Sequence, residues 1–377
     1  MNFADSGLTL GYTGTPDTGY VHSGYKASAG TLTGTDNSYT LTMPDENVVV
    51  NAELTKVYTD GIGERLAGHT LSLNGNIGVN FYMELDDDVA ANSDAYMHFT
   101  LPNGTTQDVT VAEAVQKTVS GKTYYVFQCE TAAKEMTDKI TAQMFSGDKS
   151  GEVYEYTVKE YADYLFKNAY EEDGVTVKNQ SYVDAYSLIE SMVNYGAYSQ
   201  IYFDHNTDAL ANAGRTNTDV SAVTADTINM PYDSSTEKLP EGLTFAGANL
   251  VLESETVMNL YFTNTTGKAL TFTTDDNLTL TQEQSGKYIK VTITDIAAQD
   301  LDKYVTVNVA VEGNDTPDQP LSEGATAYSI KYSPMNYCYN ILSRETTATR
   351  TDALKDVMRA LYLYNSQAKA YFAAQNN

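Results

Sequence analysis

Four histidines are the first residues in this 377-residue chain to raise a question of chemistry: His22, His69, His98 and His205. An imidazole can ligate zinc or move protons near neutral pH, and both tasks need partners at set spacing. No His-Glu-x-x-His, no His pair at helical spacing and no Cys-x-x-Cys occurs, so a zinc site lacks its usual pattern. Ser120-Gly121-Lys122-Thr123 has the Gly-Lys-Thr tail of a phosphate loop, but Gln116 stands where the first glycine belongs. Strand-like sequence flanks the stretch on both sides, whereas a phosphate loop opens a helix; it reads as a hairpin turn. Asp86-Asp87-Asp88 lacks the alternating ligand spacing of an EF-type calcium loop and reads as a solvated loop. No Gly-x-Ser-x-Gly elbow appears, and no carboxylate pair sits in an apolar setting that would raise a pKa. The expectation is no catalytic, cofactor-binding or metal-binding residues, no cofactor, and ligand-binding residues that stay unassigned.

Tyrosine is the unusual residue, with 30 copies and no Trp. A phenol suits stacking on sugar rings or contact with a protein partner, and it equally suits packing helix against sheet with its hydroxyl at the rim. Many of these rings crowd into 154–202 and 328–371, and their matched places on helical stripes favour packing. The two cysteines, Cys129 in VFQCET and Cys338 in MNYCYNIL, read as small buried hydrophobes in preference to a disulfide.

The elements that must position these residues come in two copies. LAGHTLSLNGNIGVNFYMEL (66–85) and FAGANLVLESETVMNLYFTN (245–264) share Ala67/Ala246, Gly68/Gly247, Leu71/Leu250, Leu73/Leu252, Asn80/Asn259 and Tyr82/Tyr261. GKTYYVFQCETAAKEMTDKITAQM (121–144) then aligns with GKYIKVTITDIAAQDLDKYVTVNV (286–309), pairing Gly121/Gly286, Val126/Val291 and Ala132-Ala133/Ala297-Ala298. YTVK at 156–159 aligns with YSIK at 328–331, and Tyr195, Tyr202 and Phe203 align with Tyr364, Tyr371 and Phe372. Ordered blocks with drifting offsets are the mark of a duplicated unit whose loops change length. His69 and His98 face Ala248 and Thr271 in the second copy, so chemistry needing them could occupy only one copy.

Each copy begins in strands: the first shows period-two alternation with an Asn-Gly turn after Leu73 and further hairpins at Asn103-Gly104 and Ser120-Gly121, which predicts antiparallel sandwich strands. Each ends in two helical patterns: YTVKEYADYLFKNAY and 183–203 in the first, SPMNYCYNILSR and 352–375 in the second. In the first long helix Val183, Tyr186, Ile189, Val193 and Gly196-Ala197 form one stripe, with Glu190, Asn194 and Gln200 facing elsewhere. Such stripes need cover, most simply from the copy's own sandwich. The fold class expected is α+β, mainly β. Its parts are a small β-grasp-like unit over 1–57, a sandwich with helices over 58–213, a linker over 214–241 and a second sandwich with helices over 242–377.

A net charge of −27 argues against nucleic acid and against anionic lipid surfaces. No run approaches the 18 or so apolar residues of a membrane span. No basic-then-apolar leader precedes NFADSGLTL, which already reads as strand, so the chain is expected to be an excerpt or to lack a processed leader.

The run SAGTLTGTDNSYTLTMPDENVVVNAEL resembles the end of an internalin-type B repeat, also called the Listeria–Bacteroides repeat. Tyr39, Leu41, Met43, Pro44, Asp45, Val48, Val50 and Ala52 occupy its aromatic-x-hydrophobic-x-Met-Pro-acid step and Val strand, with GYKASAG in place of the family's usual Gly-Trp step. The resemblance covers about fifty residues and implies a β-grasp-like spacer in secreted or wall-attached multidomain proteins of Gram-positive bacteria. The duplicated body is similar to uncharacterised modules in long surface proteins of gut anaerobes. The function expected is a non-catalytic extracellular surface, adhesion or spacer module, facing a host or microbial surface protein or glycan. A carbohydrate-binding module of a surface glycan-utilisation system is the alternative.

Overall fold

The computed structural model describes every residue except 1–7, 11–19, 36–37, 43, 45–46, 57–61, 73–76, 253–255, 275–276, 313–327 and 376–377. The NFADSG start, Met43, Asp45, Leu73 and the Asn74-Gly75 turn therefore lie outside the described residues.

The N-terminal unit holds strands β1 (Leu8–Leu10), β2 (Tyr20–Ala27), β3 (Thr31–Thr35), β4 (Ser38–Thr42) and β5 (Val50–Lys56). They form two small antiparallel sheets, β1-β4-β3 and β2-β5. Of the B-repeat positions, Leu41 is fully buried, and Tyr39 meets Tyr25 edge-on at 5.5 Å.

The first body unit runs through β6 (Glu64–Ser72), β7 (Gly78–Leu85), α1 (Asp87–Ala90), β8 (Tyr96–Thr100), β9 (Thr106–Thr110) and β10 (Val115–Val119). β11 (Lys122–Glu130), β12 (Ile140–Ser146) and β13 (Lys149–Tyr156) complete its strands. Sheets β10-β11-β7-β6 and β13-β12-β8-β9 face each other across alternating apolar residues, with Phe81 and Phe99 in contact at 5.4 Å. β10 and β11 turn at Ser120 (φ 51°) and Gly121 (φ 79°), the left-handed pair that a two-residue hairpin demands.

A short helix, α2 (Val158–Ala169), and a long one, α3 (Gln180–Phe203), follow. Residues 214–241, read as a linker, carry α4 (Ala225–Ile228) and lie against both long helices. Arg215 pairs with Glu190 at 3.0 Å and sits 3.9 Å over the Phe166 ring, while Val223 accepts a 3.0 Å hydrogen bond from Arg359 Nε.

The second unit has β14 (Leu243–Leu252), β15 (Thr256–Asn264), β16 (Leu270–Thr274), β17 (Thr279–Ser285), β18 (Tyr288–Thr294), β19 (Val305–Val311) and β20 (Tyr328–Tyr332). Its sheet β14-β15-β18-β17 repeats the order β6-β7-β11-β10, and β16-β19-β20 repeats β8-β12-β13, with no counterpart of β9 among the described residues. The recurring Ala-Gly step is a β-bulge in both units, between Leu66 and Gly68 and between Phe245 and Gly247. The recurring Asn makes the same cross-strand bond: Asn80 Nδ2 donates to Thr70 Oγ1 (3.0 Å) and Asn259 Nδ2 to Asn249 Oδ1 (2.9 Å).

Two of the sequence pairings shift. YTVK and YSIK are not equivalent, because Tyr156 lies opposite Ile140 while Tyr332, not Tyr328, lies opposite Val305. Thr157 caps α2 in a box with Glu160; its counterpart Ser333 caps α5 (Pro334–Leu342) in a box with Asn336. Likewise Val126 lies opposite Tyr82, but the residue opposite Tyr261 is Lys290, so Val291 matches Phe127.

Each long helix packs on its own unit, α3 over Ala133–Glu135 and α6 (Asp352–Gln375) over Ala298–Asp300, and also on the other long helix. One apolar cluster runs through both units. Asn194 and Gln200, expected to face elsewhere, are buried at 6% and 0% exposure. They serve the connection: Asn194 Nδ2 donates to Asn217 O (2.7 Å), and Gln200 Oε1 accepts from Ala211 N (2.8 Å). A helix wrapped on all sides has no polar face to spare, so its buried amides find backbone partners.

Candidate functional site

The histidines stay apart. His98 Nδ1 bonds Asp108 across the β8–β9 hairpin and His205 Nε2 bonds Asp138, each at 2.6 Å, and His22 lies in the N-terminal unit beside Tyr25. His69 stacks on Tyr156 with centroids 3.7 Å apart and meets the edge of Phe81, and burial lowers its pKa to about 4. It is a neutral ring in an aromatic stack. Among the described residues no three His, Cys, Asp or Glu side chains are grouped to hold a metal ion. Asp86, Asp87 and Asp88 are exposed around the first turn of α1. Both cysteines are free and buried; burial lifts the Cys129 pKa to about 12 and raises that of Cys338 further.

The tyrosines divide. Tyr195, Tyr332 and Tyr364 are core residues, and most helical tyrosines pack partly buried against that core, with Tyr164 exposed. At the helix ends they make a reciprocal arrangement. Tyr371 and Phe372 lie with Leu71 and Val126 of the first unit, and Tyr202 and Phe203 lie with Leu250 and Tyr337 of the second. Each long helix thus ends against the other unit.

That crossing makes a groove of about 340 Å³ on the outer face of the first sheet. Leu71, Val115 and Val126 give apolar floor, the Tyr371 and Phe372 rings wall it, and Asn80, Lys117 and Gln128 supply polar groups. Lys117 Nζ donates to Tyr82 Oη at 3.0 Å and lies over that ring at 5.4 Å. The corresponding niche in the second unit, about 190 Å³, is lined by Tyr202, Phe203 and Leu250–Leu252 and lacks the amides.

The repeated Asn-x-Tyr of Asn80 and Tyr82 signalled this face in the sequence. Gln128 carries no such signal, because pairing Val126 with Val291 on residue identity sets Thr292 one position out of register with it. The contribution of Tyr371 and Phe372 to the other unit's sheet depends on the helix crossing and has no local signature.

No curated protein matches the chain. Residues 2–57 match the family described as the divergent InlB B-repeat domain. The chain therefore carries a B-repeat-like domain, a surface-associated bacterial module, at its N-terminal end.

Proposed function

We propose that this chain is a non-catalytic extracellular module of a bacterial multidomain surface protein, serving as a spacer or in adhesion to a host or microbial partner. The packing of α3 on α6 carries this reading. It ties the doubled body through one apolar core, and a spacer has to hold its length under load. The dispersed histidines and unreactive buried thiols support a role without catalysis. A library of glycosides, esters and peptides incubated with the purified protein should show no turnover above buffer, and a pull-down from host and microbial surface extracts should enrich a partner. Enzyme-like turnover of any library member contradicts the reading.

Carbohydrate binding is a second reading, favoured by the amide- and ring-lined groove. It makes the body a glycan-binding part of a surface glycan-utilisation system.

A further inference from the structure

We propose that the groove between the β10-β11-β7-β6 sheet and the end of α6 binds a short uncharged glycan. The inference rests on the carbohydrate reading and is independent of the spacer reading.

The groove's volume of about 340 Å³ falls in the range of small-ligand sites. A sugar ring offers a C–H face that settles on aromatic and aliphatic surface and a rim of hydroxyls that both donate and accept. The groove has both halves of that match. Val115, 60% exposed, and the Tyr371 and Phe372 rings give the apolar surfaces. The Gln128 amide, which donates and accepts, hydrogen-bonds to no other described residue, and Asn80 uses only its Nδ2, leaving Oδ1 open.

The second unit shows what the same face looks like when closed. There Lys290 and Glu283 form a 2.7 Å ion pair across the positions of Val126 and Val115. Thr292, at the position of Gln128, donates to Asn259 Oδ1 at 2.8 Å, so the Asn ladder is satisfied internally. Gly78 is the residue that makes room. A Cβ there would lie 3.3 Å from the Gln128 side chain and 2.9 Å from the Cys129 carbonyl, whereas the second unit has Val257 beside the smaller Thr292. The first unit has thus exchanged an ion pair and a closed ladder for open floor and a spare amide.

β7 and β11 are each paired on both sides, so a peptide could add as a strand only along the sheet's edges, β10 and β6, and not over the Asn80 and Gln128 amides. The chain's net charge of −27 disfavours acidic sugars.

The test installs second-unit residues in the full chain. Gln128→Thr and Val115→Glu each alter the groove alone, and circular dichroism and thermal melts confirm that they fold. Binding is measured by calorimetry against neutral oligosaccharides of glucose, galactose, mannose and N-acetylglucosamine. At least one should bind the unmodified chain, and each variant should weaken it about tenfold, as expected for one lost hydrogen bond or for apolar floor replaced by a hydrated carboxylate. Binding by the unmodified chain that both variants retain in full overturns the groove assignment but not the carbohydrate reading. No binding of any of the four sugar classes overturns both.

Discussion

Tyr195 and Tyr364, matched residues of the two long helices, stack on each other with ring centroids 5.9 Å apart and planes 13° from parallel. A residue that touches its own counterpart lies on a local two-fold axis, the arrangement of an isologous dimer interface. The matched placements of Tyr371 and Phe372 beside Leu71 and of Tyr202 and Phe203 beside Leu250 obey the same axis. The doubled body is thus built as a dimer is, within one chain.

Truncating either central ring should destabilise the body as a whole. Tyr195→Ala and Tyr364→Ala should each cost about 3–5 kcal/mol, the range for large aromatics removed from cores. Because the rings touch, the double variant should cost less than the sum, with a coupling of about 0.5–1.5 kcal/mol. Urea melts of the four proteins measure both quantities.

Low pH should weaken the first unit through His69. Its pKa is lowered to about 4 by burial, against 6.5 for an exposed imidazole. Between those values the unfolded chain binds the extra proton, so this stability is complete above pH 6.5 and is lost as pH falls toward 4. Comparing melts at pH 7 and pH 5 for the native chain and His69→Phe isolates the effect. The native chain should lose more stability than the variant, whose ring keeps the stack on Tyr156.

The thiols should be silent until unfolding. With Cys129 raised to about 12 and Cys338 also raised, neither presents thiolate at pH 8. Ellman's reagent should titrate no thiol in the folded protein and two in guanidinium. Rapid reaction of the folded chain would contradict their burial.

Removing a helix cap should test the corrected register. Thr157→Ala and Ser333→Ala should each cost about 1 kcal/mol, because both open a capping box, whereas Ser329→Ala, in a strand, should cost less.

What could be read from the sequence was what local spacing encodes. The hairpin turning at Ser120-Gly121 and the span 352–375 of α6 follow from alternation, turn chemistry and helical period. The Ala-Gly repeat was visible, but its meaning as a bulge needed the register. Tyr156 and Tyr328 were paired because identical letters outweighed position; the hydroxyl caps Thr157 and Ser333 mark the true correspondence. Asn194 and Gln200 looked like solvent residues because polarity alone cannot reveal a connecting segment laid over a helix. The groove was hidden for the same reason: its walls come from residues about 245–300 positions away from its floor.

Hydrogen exchange on Tyr195→Ala tests the shared core most directly. If the two units are joined through α3 and α6, the substitution should speed exchange in α6 and in the Ala298–Asp300 turn beneath it as well as in α3. Faster exchange confined to residues 62–213, with α6 protected as before, would contradict a body built around one dyad.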